Sequence, residues 1–272
     1  MPESLFRIEG ERFVPTRFAE SPWSSAGLHG GPAAGLLARA IERTAAADDL
    51  VVARLTVDLF RQVPNAPLEV TTRVVRQGRR IQASEASLWS DGVEVSRASG
   101  LLLQQTEVDL PESALPADLV PPFPEVEIDV ALSGGVPGAQ PGFHHAVHCR
   151  RLNATDSGWP MGIAWFRLPG PLVEGETNSP FVVVASIADF TNALAGPRNA
   201  GVGFINCDIS LNLIRPTESD WICLQVDAHA QPTGIAMAHA RVFDRRGLIG
   251  MVSESRLANR RAPGMAPMSS TE

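Results

Sequence analysis

The stretch FVVVASIADFTNALAG, residues 181–196, is almost wholly apolar or small, yet it carries one acid, Asp189. A helix so apolar around its circumference has no polar face to offer water, so it needs covering on most sides, as by a curled sheet. Inside such a cover a lone carboxylate is costly unless it is paired or hydrogen-bonded. Asp189 therefore either reaches solvent or gathers partners.

Strands fit to form the cover occur twice. When the chain is shifted on itself by 154 residues without gaps, RLTVDLFRQVP from Arg54 lies over DISLNLIRPTE from Asp208. Leu59 then meets Leu213, Arg61 meets Arg215, Ile81 meets Ile235, Ala86 meets Ala240 and Trp89 meets Phe243. Two units of one architecture is the simplest account.

The order of elements within each unit is shared. In the first, FRIEGERFVPT alternates and reads as one strand. GGPAAGLLARAIERTA then places Leu36, Leu37, Ala40, Ile41 and Thr44 on one stripe, a helix with one buried face whose Pro32 suits a first turn. VVARLTVDLFRQV, LEVTTRVVRQG, RIQASEASLWSDG and VEVSRASGLLLQ follow as strands, the last two joined by a hairpin at Ser90-Asp91-Gly92. In the second, HHAVHCRRL and IAWFRL precede the apolar helix, and FINCDISLNLIR, WICLQVDAHAQ, GIAMAHARVFD and LIGMVSESRL follow it. A helix and an antiparallel meander, twice over, make an α+β fold. The expected boundaries are a first unit at 1–107, a Pro- and Gly-rich linker at 108–139, a second unit at 140–261 and a loose tail at 262–272.

Composition narrows the chemistry. The chain of 272 residues is 44% hydrophobic and 19% charged, as globular proteins are, and its net charge of −7 gives no reason to expect a nucleic-acid partner. All 23 basic residues are Arg and Tyr is absent, which excludes a Schiff-base lysine, a P-loop lysine and a tyrosine acid. Cys149, Cys207 and Cys223 are well separated, with no spacing suited to zinc. On a strand His144 and His148 would share a face but sit ~13 Å apart, too far for one metal ion. The N-terminus lacks the apolar run of a signal peptide, and no segment approaches the length of a membrane span, so a cytoplasmic setting is expected.

These residues resemble a known family, the TesB-like double hotdog acyl-CoA thioesterases, in which each unit is a curled antiparallel sheet wrapped around a central helix. HGGPAAGLLARAIE from His29 resembles the helix opening of their N-terminal hotdog. ASIADFTNAL resembles the segment carrying their catalytic aspartate, FINCDISLNLIRP the strand after it, and GLIGMVSESRL the final strand. The resemblance implies hydrolysis of an acyl-CoA by a water activated at Asp189, with Asn206 beside it. Glu254 falls where the family usually has Gln, or Ser255 if the register is one off. It implies no cofactor, since coenzyme A arrives as part of the substrate, and it leaves a homo-oligomer open. His29, Gly30 and Gly31 would contact substrate at a helix start, whose N–H groups suit a developing oxyanion.

Arg79 and Arg80, in the basic cluster RVVRQGRR with Arg73 and Arg76, would suit coenzyme A phosphates, although a solvated hairpin turn has the same composition. Ionised Glu only accepts hydrogen bonds where Gln also donates, so Glu254 is a departure with two outcomes. Beside Asp189 one of the two carboxyls should be forced neutral and could stand in for Gln; otherwise the protein binds acyl-CoA without cleaving it. Hydratases of the same fold need a His after the Asp on the same segment. Phe190-Thr191-Asn192-Ala193-Leu194-Ala195 contains none.

Overall fold

The computed structural model describes residues 3–22, 24–115, 118–124, 142–152, 162–195 and 202–260. Much of the expected linker and the whole expected tail lie outside them. The first unit opens with β1 (Phe6–Glu9) and β2 (Arg12–Pro15), then β3 (Glu20–Ser21) and β4 (Ser24–Leu28). Helix α1 (Gly30–Glu42) precedes β5 (Leu50–Asp58), β6 (Glu69–Arg76), β7 (Ile81–Ser90) and β8 (Val93–Gln104). The second unit begins with the short helix α2 (Phe143–Ala146), β9 (His148–Leu152) and β10 (Ile163–Arg167). Helices α3 (Pro180–Ala188) and α4 (Phe190–Leu194) come next, then β11 (Val202–Asn206), β12 (Asp208–Leu213), β13 (Ile222–Ala230), β14 (Ile235–Asp244) and β15 (Gly247–Arg260).

Among the described residues both units share one 11-stranded sheet in the order β6-β7-β8-β5-β12-β15-β14-β13-β10-β9, with β11 also paired to β15. Its centre is the antiparallel pair β5–β12, where Thr56 lies opposite Ser210. Those two residues are 154 apart, the offset read from the sequence. Each is thus the counterpart of the other, and a local two-fold axis passes between them. The strand limits repeat at the same spacing: β7 and β14 start at Ile81 and Ile235, β8 and β15 at Val93 and Gly247.

The helices run antiparallel against each other inside the sheet. A Cβ on Gly31 would run into the Ser186 carbonyl, while at the other end Ser179 Oγ donates to Glu42 Oε2 over 2.6 Å. Arg39 adds a bidentate pair to Glu176 across the units, with Nε 2.7 Å from Oε2. Helix α1 is buried from Gly31 to Ala38, more than the expected single stripe, because α3 covers the side that the sheet leaves open. The apolar stretch behaves as anticipated: Ser179 caps α3 by accepting from the Val182 N–H, and most of the side chains from Phe181 to Ala195 are enclosed. The helix breaks at Asp189, which ends α3 and opens α4.

Three local readings change. FRIEGERFVPT is a hairpin, because Gly10 takes φ 64° and turns the chain between β1 and β2. FINCDISLNLIR is two strands, broken at Cys207, whose N–H bonds to the Ser255 carbonyl. Part of the expected linker is a strap: Trp165 Nε1 donates to the Pro122 carbonyl and Phe123 packs edge-on against Trp165 and Trp221. The Asp91-Gly92 hairpin is as expected, with both residues at positive φ as a two-residue primed turn requires.

Candidate active site

Asp189 is 6% exposed and holds three partners. Asn206 Nδ2, at the end of β11, donates to its Oδ1 over 2.7 Å. His29 Nδ1, at the N-cap of α1, lies 2.7 Å from its Oδ2. The Gly31 N–H also reaches the carboxylate. The same N–H is 3.2 Å from His29 Nδ1. One nitrogen cannot both donate to Asp189 and accept from Gly31, so the Gly31 N–H faces two acceptors, His29 Nδ1 and the Asp189 carboxylate. The shorter, charge-assisted contact of His29 with Asp189 favours a proton on Nδ1. Gly30 is required here in a literal sense, since a Cβ would stand 2.6 Å from Asp189 Oδ1.

Burial pushes the Asp189 pKa upward, but the His29 charge and the bonds from His29, Asn206 and Gly31 outweigh it and hold the carboxyl below its ordinary range. Glu254, on β15 opposite Ala238, has the reverse balance. It is 2% exposed, and neither carboxyl oxygen has a hydrogen-bond partner. Burial first, then the Asp189 and Asp208 charges, raise its pKa well above the usual value, with Arg256 opposing. The two carboxyls are thus pushed in opposite directions, Asp189 toward the ionised form and Glu254 toward the neutral one.

The surrounding shell fixes these groups. Arg256, 3% exposed, donates from Nε to Asn192 Oδ1 over 2.7 Å and from Nη1 to the Ala195 carbonyl, tying β15 to α4. The break at Cys207 sets Asn206 at a strand end, and Asp208 Oδ1 takes the Ser255 N–H that the interrupted ladder leaves over. His29 packs against both Phe143 and Phe190, with ring centroids 5.1 and 5.2 Å away, and those two rings stack on each other.

Of the residues singled out from the sequence, Asp189, Asn206, His29, Gly30 and Gly31 come together, and Glu254 lies within electrostatic reach. Ser255 does not take the site position, because its side chain is on the exposed face of β15. Arg79 and Arg80 lie elsewhere, exposed on the β6–β7 turn. That turn adjoins the C-terminal side of α1, where the Ala46 N–H bonds to Gln82 and the Gln104 N–H to the Arg80 carbonyl. A 13-residue helix, ~20 Å long, separates that side from His29. His144 and His148 are not on one strand: His144 is in α2 and His148 in β9, and no metal-binding cluster occurs among the described residues. A cleft of about 450 Å³ opens at the N-terminal end of α3, lined by Arg167, Asn178, Pro180, Thr217 and Asp220, and does not include Asp189. Sequence reading missed Arg256, Phe143 and the place of His144; only the nearness of Arg256 to Glu254 in the chain could have hinted at the first.

A helix held in a curled antiparallel sheet, twice in one chain, defines a tandem hotdog protein of the α+β class. Residues 19–103 match the acyl-CoA thioesterase N-terminal domain and residues 112–254 the acyl-CoA thioesterase C-terminal domain. The chain belongs to the acyl-CoA thioesterase family and is a thioester hydrolase. Similar solved structures include a conserved hot dog fold protein of unknown function from Alicyclobacillus acidocaldarius, at 16% identity and TM-score 0.70 over 94% of this chain and 96% of that one. Acyl-CoA thioesterase II TesB2 from Mycobacterium marinum is similar at 17% identity and TM-score 0.63 over 96% of each chain. The tesB protein of Mycobacterium avium subspecies paratuberculosis is similar at 18% identity and TM-score 0.64 over 93% of this chain and 94% of that one. At such identities the likeness concerns the fold. No curated protein sequence matches the chain.

Proposed function

We propose that the chain hydrolyses an acyl-CoA to free acid and coenzyme A through a water held by Asp189, Asn206 and Glu254. The observation that carries this reading is a buried Asp189 carboxylate held by Asn206 and by His29 of the other unit, with a second buried carboxyl, Glu254, left without a hydrogen-bond partner in its electrostatic reach. Their opposite pKa directions suit a base and an acid. A carboxylate offers about four lone-pair positions, and Asn206, His29 and Gly31 use three, leaving one for water. The water oxygen attacks the thioester carbonyl carbon as Asp189 takes its proton. Collapse of the tetrahedral species breaks the C–S bond, and the proton passes to the departing thiolate. Neutral Glu254 has one O–H to donate and one carbonyl oxygen to accept, the same pair of functions as the amide of Gln. The sequence of steps involves no covalent enzyme intermediate and calls on no cofactor.

Thiol release from short-, medium- and long-chain acyl-CoAs tests this, comparing the natural protein with Asp189→Asn. Loss of the base should lower kcat by about 10³-fold. A second reading, an acyl-CoA binding protein on the same fold, draws on the bonds that already weaken Asp189 as a base. It gains if the natural protein binds acyl-CoA tightly and releases no thiol at any chain length.

A further inference from the structure

The oxyanion needs a donor, and the one expected at the start of α1 is taken: the Gly31 N–H faces His29 Nδ1 and the Asp189 carboxylate. One residue beyond Phe143, whose ring packs on His29, is an imidazole with nothing to bond. His144 is 5% exposed, and neither Nδ1 nor Nε2 has a hydrogen-bond partner. Buried polar atoms are almost always satisfied, so a ring with two unsatisfied nitrogens asks for a ligand.

Its surroundings are built to hold it beside the site. Helix α2 rests on the first unit, since a Cβ on Gly142 would run into the Glu20 carbonyl. The neighbouring Ala19 carbonyl accepts the His29 N–H over 3.0 Å, so His29 and α2 share a support. Phe143, one residue before His144, packs on His29, and a Cβ on Gly31 would stand 2.5 Å from the Phe143 ring. His145 is exposed and closes the outer side, its ring centroid 4.0 Å from that of His144. We propose that the His144 ring N–H donates to the thioester carbonyl oxygen and to the oxyanion that develops on it. Burial first, then the charges of His145 and His29, bring the His144 pKa down to about 4, so at neutral pH the ring is an uncharged donor with no tendency to protonate the leaving group.

The inference rests on the hydrolytic reading, and the test separates the two. Binding to the intact protein is measured for two stable coenzyme A thioethers, an S-(2-oxoalkyl)-CoA that keeps a carbonyl and an S-alkyl-CoA that lacks it. His144→Leu should weaken the ketone about tenfold and leave the alkyl thioether unchanged, while His144→Gln, which retains a neutral donor, recovers most of the loss. In turnover His144→Leu should lower kcat by about 10²-fold with KM within threefold. As a check that needs no variant, the His144 ring N–H of the natural protein should shift downfield in NMR and exchange slowly with the ketone bound, and not with the alkyl thioether. Equal weakening of both thioethers, no weakening of either, or an unmoved ring proton overturns the role of His144. Hydrolysis that collapses in Asp189→Asn and survives in His144→Leu overturns it while leaving the hydrolytic reading intact. An absence of hydrolysis in the natural protein, with the ketone contact present, defeats hydrolysis and keeps the donor.

Discussion

The two halves of the molecule have the same backbone and opposite interiors at one place. At the offset of 154, Asn206, Glu254 and Arg256 of the second unit correspond to Val52, Gly100 and Leu102 of the first. Even the irregularity repeats, since β5 slips its register against β8 between Val52 and Arg54, where the second unit breaks at Cys207. Yet three polar groups stand on one side and none on the other. In the first unit Ile41 fills the space, so closely that a Cβ on Gly100 would collide with it. The register supplies a place for a site. Chemistry depends on which side chains occupy it.

Asp189→Asn should have the largest effect on turnover, ~4 kcal/mol in transition-state terms. It should also lower the melting temperature at neutral pH but not in acid, where the carboxylate no longer stabilises the fold. A polar substitution of similar size at Val52, in the silent half, such as Val52→Thr, should leave turnover within twofold, and a large loss there would break the asymmetry. The two arginines that the duplication matches come next. Arg215 makes a bidentate pair with Asp244, a fully buried acid, at 2.7 Å on both arms, while its counterpart Arg61 is exposed. Arg215→Ala should cost about 3 kcal/mol in denaturant unfolding, and Arg61→Ala no more than about 0.5 kcal/mol. Gly100→Ala should cost about 1–3 kcal/mol by overpacking Ile41, without altering KM.

The smallest effect belongs to Glu254→Gln, which should keep activity within a few-fold if the neutral acid already acts as an amide would. Its signature is in pH. A carboxyl whose folded pKa is raised favours the folded state fully below its unfolded value near 4.5, and loses that contribution as pH climbs toward the folded value. Glu254→Gln should therefore melt like the natural protein near pH 4 and progressively above it as pH rises through neutrality. Asp189 has the opposite sign. Its stabilisation is present above the unfolded value near 3.8 and disappears on acidification through the lower folded one.

Much of this was readable beforehand because it is periodic. Alternation carries strand limits, and a gapless duplication carries the equivalence of Thr56 and Ser210, though not that they face each other across one sheet. Asp189 announced itself by being the only charge in an apolar run. What escaped was short or three-dimensional. Four residues of α2 make barely one turn, so FHHA reads as readily as the start of a strand, and His144 was placed on the wrong element. The alternation of FINCDISLNLIR continues through Cys207, so nothing in it marks the break. Arg256 sits in a strand where an arginine ordinarily faces water; only the helix end at Asn192 and Ala195, brought over it by the fold, gives it a reason to be buried.

The site draws His29, Gly30 and Gly31 from one unit and Asp189, Asn206 and Glu254 from the other. Two identical copies pairing through the same two-fold would have owned two such sites and been bound to change both at once. Covalent joining removes that bond of symmetry. One copy of each element is then free to drift toward packing while its twin keeps the polar groups, so a single chain can differ at the two places where a symmetric pair could not.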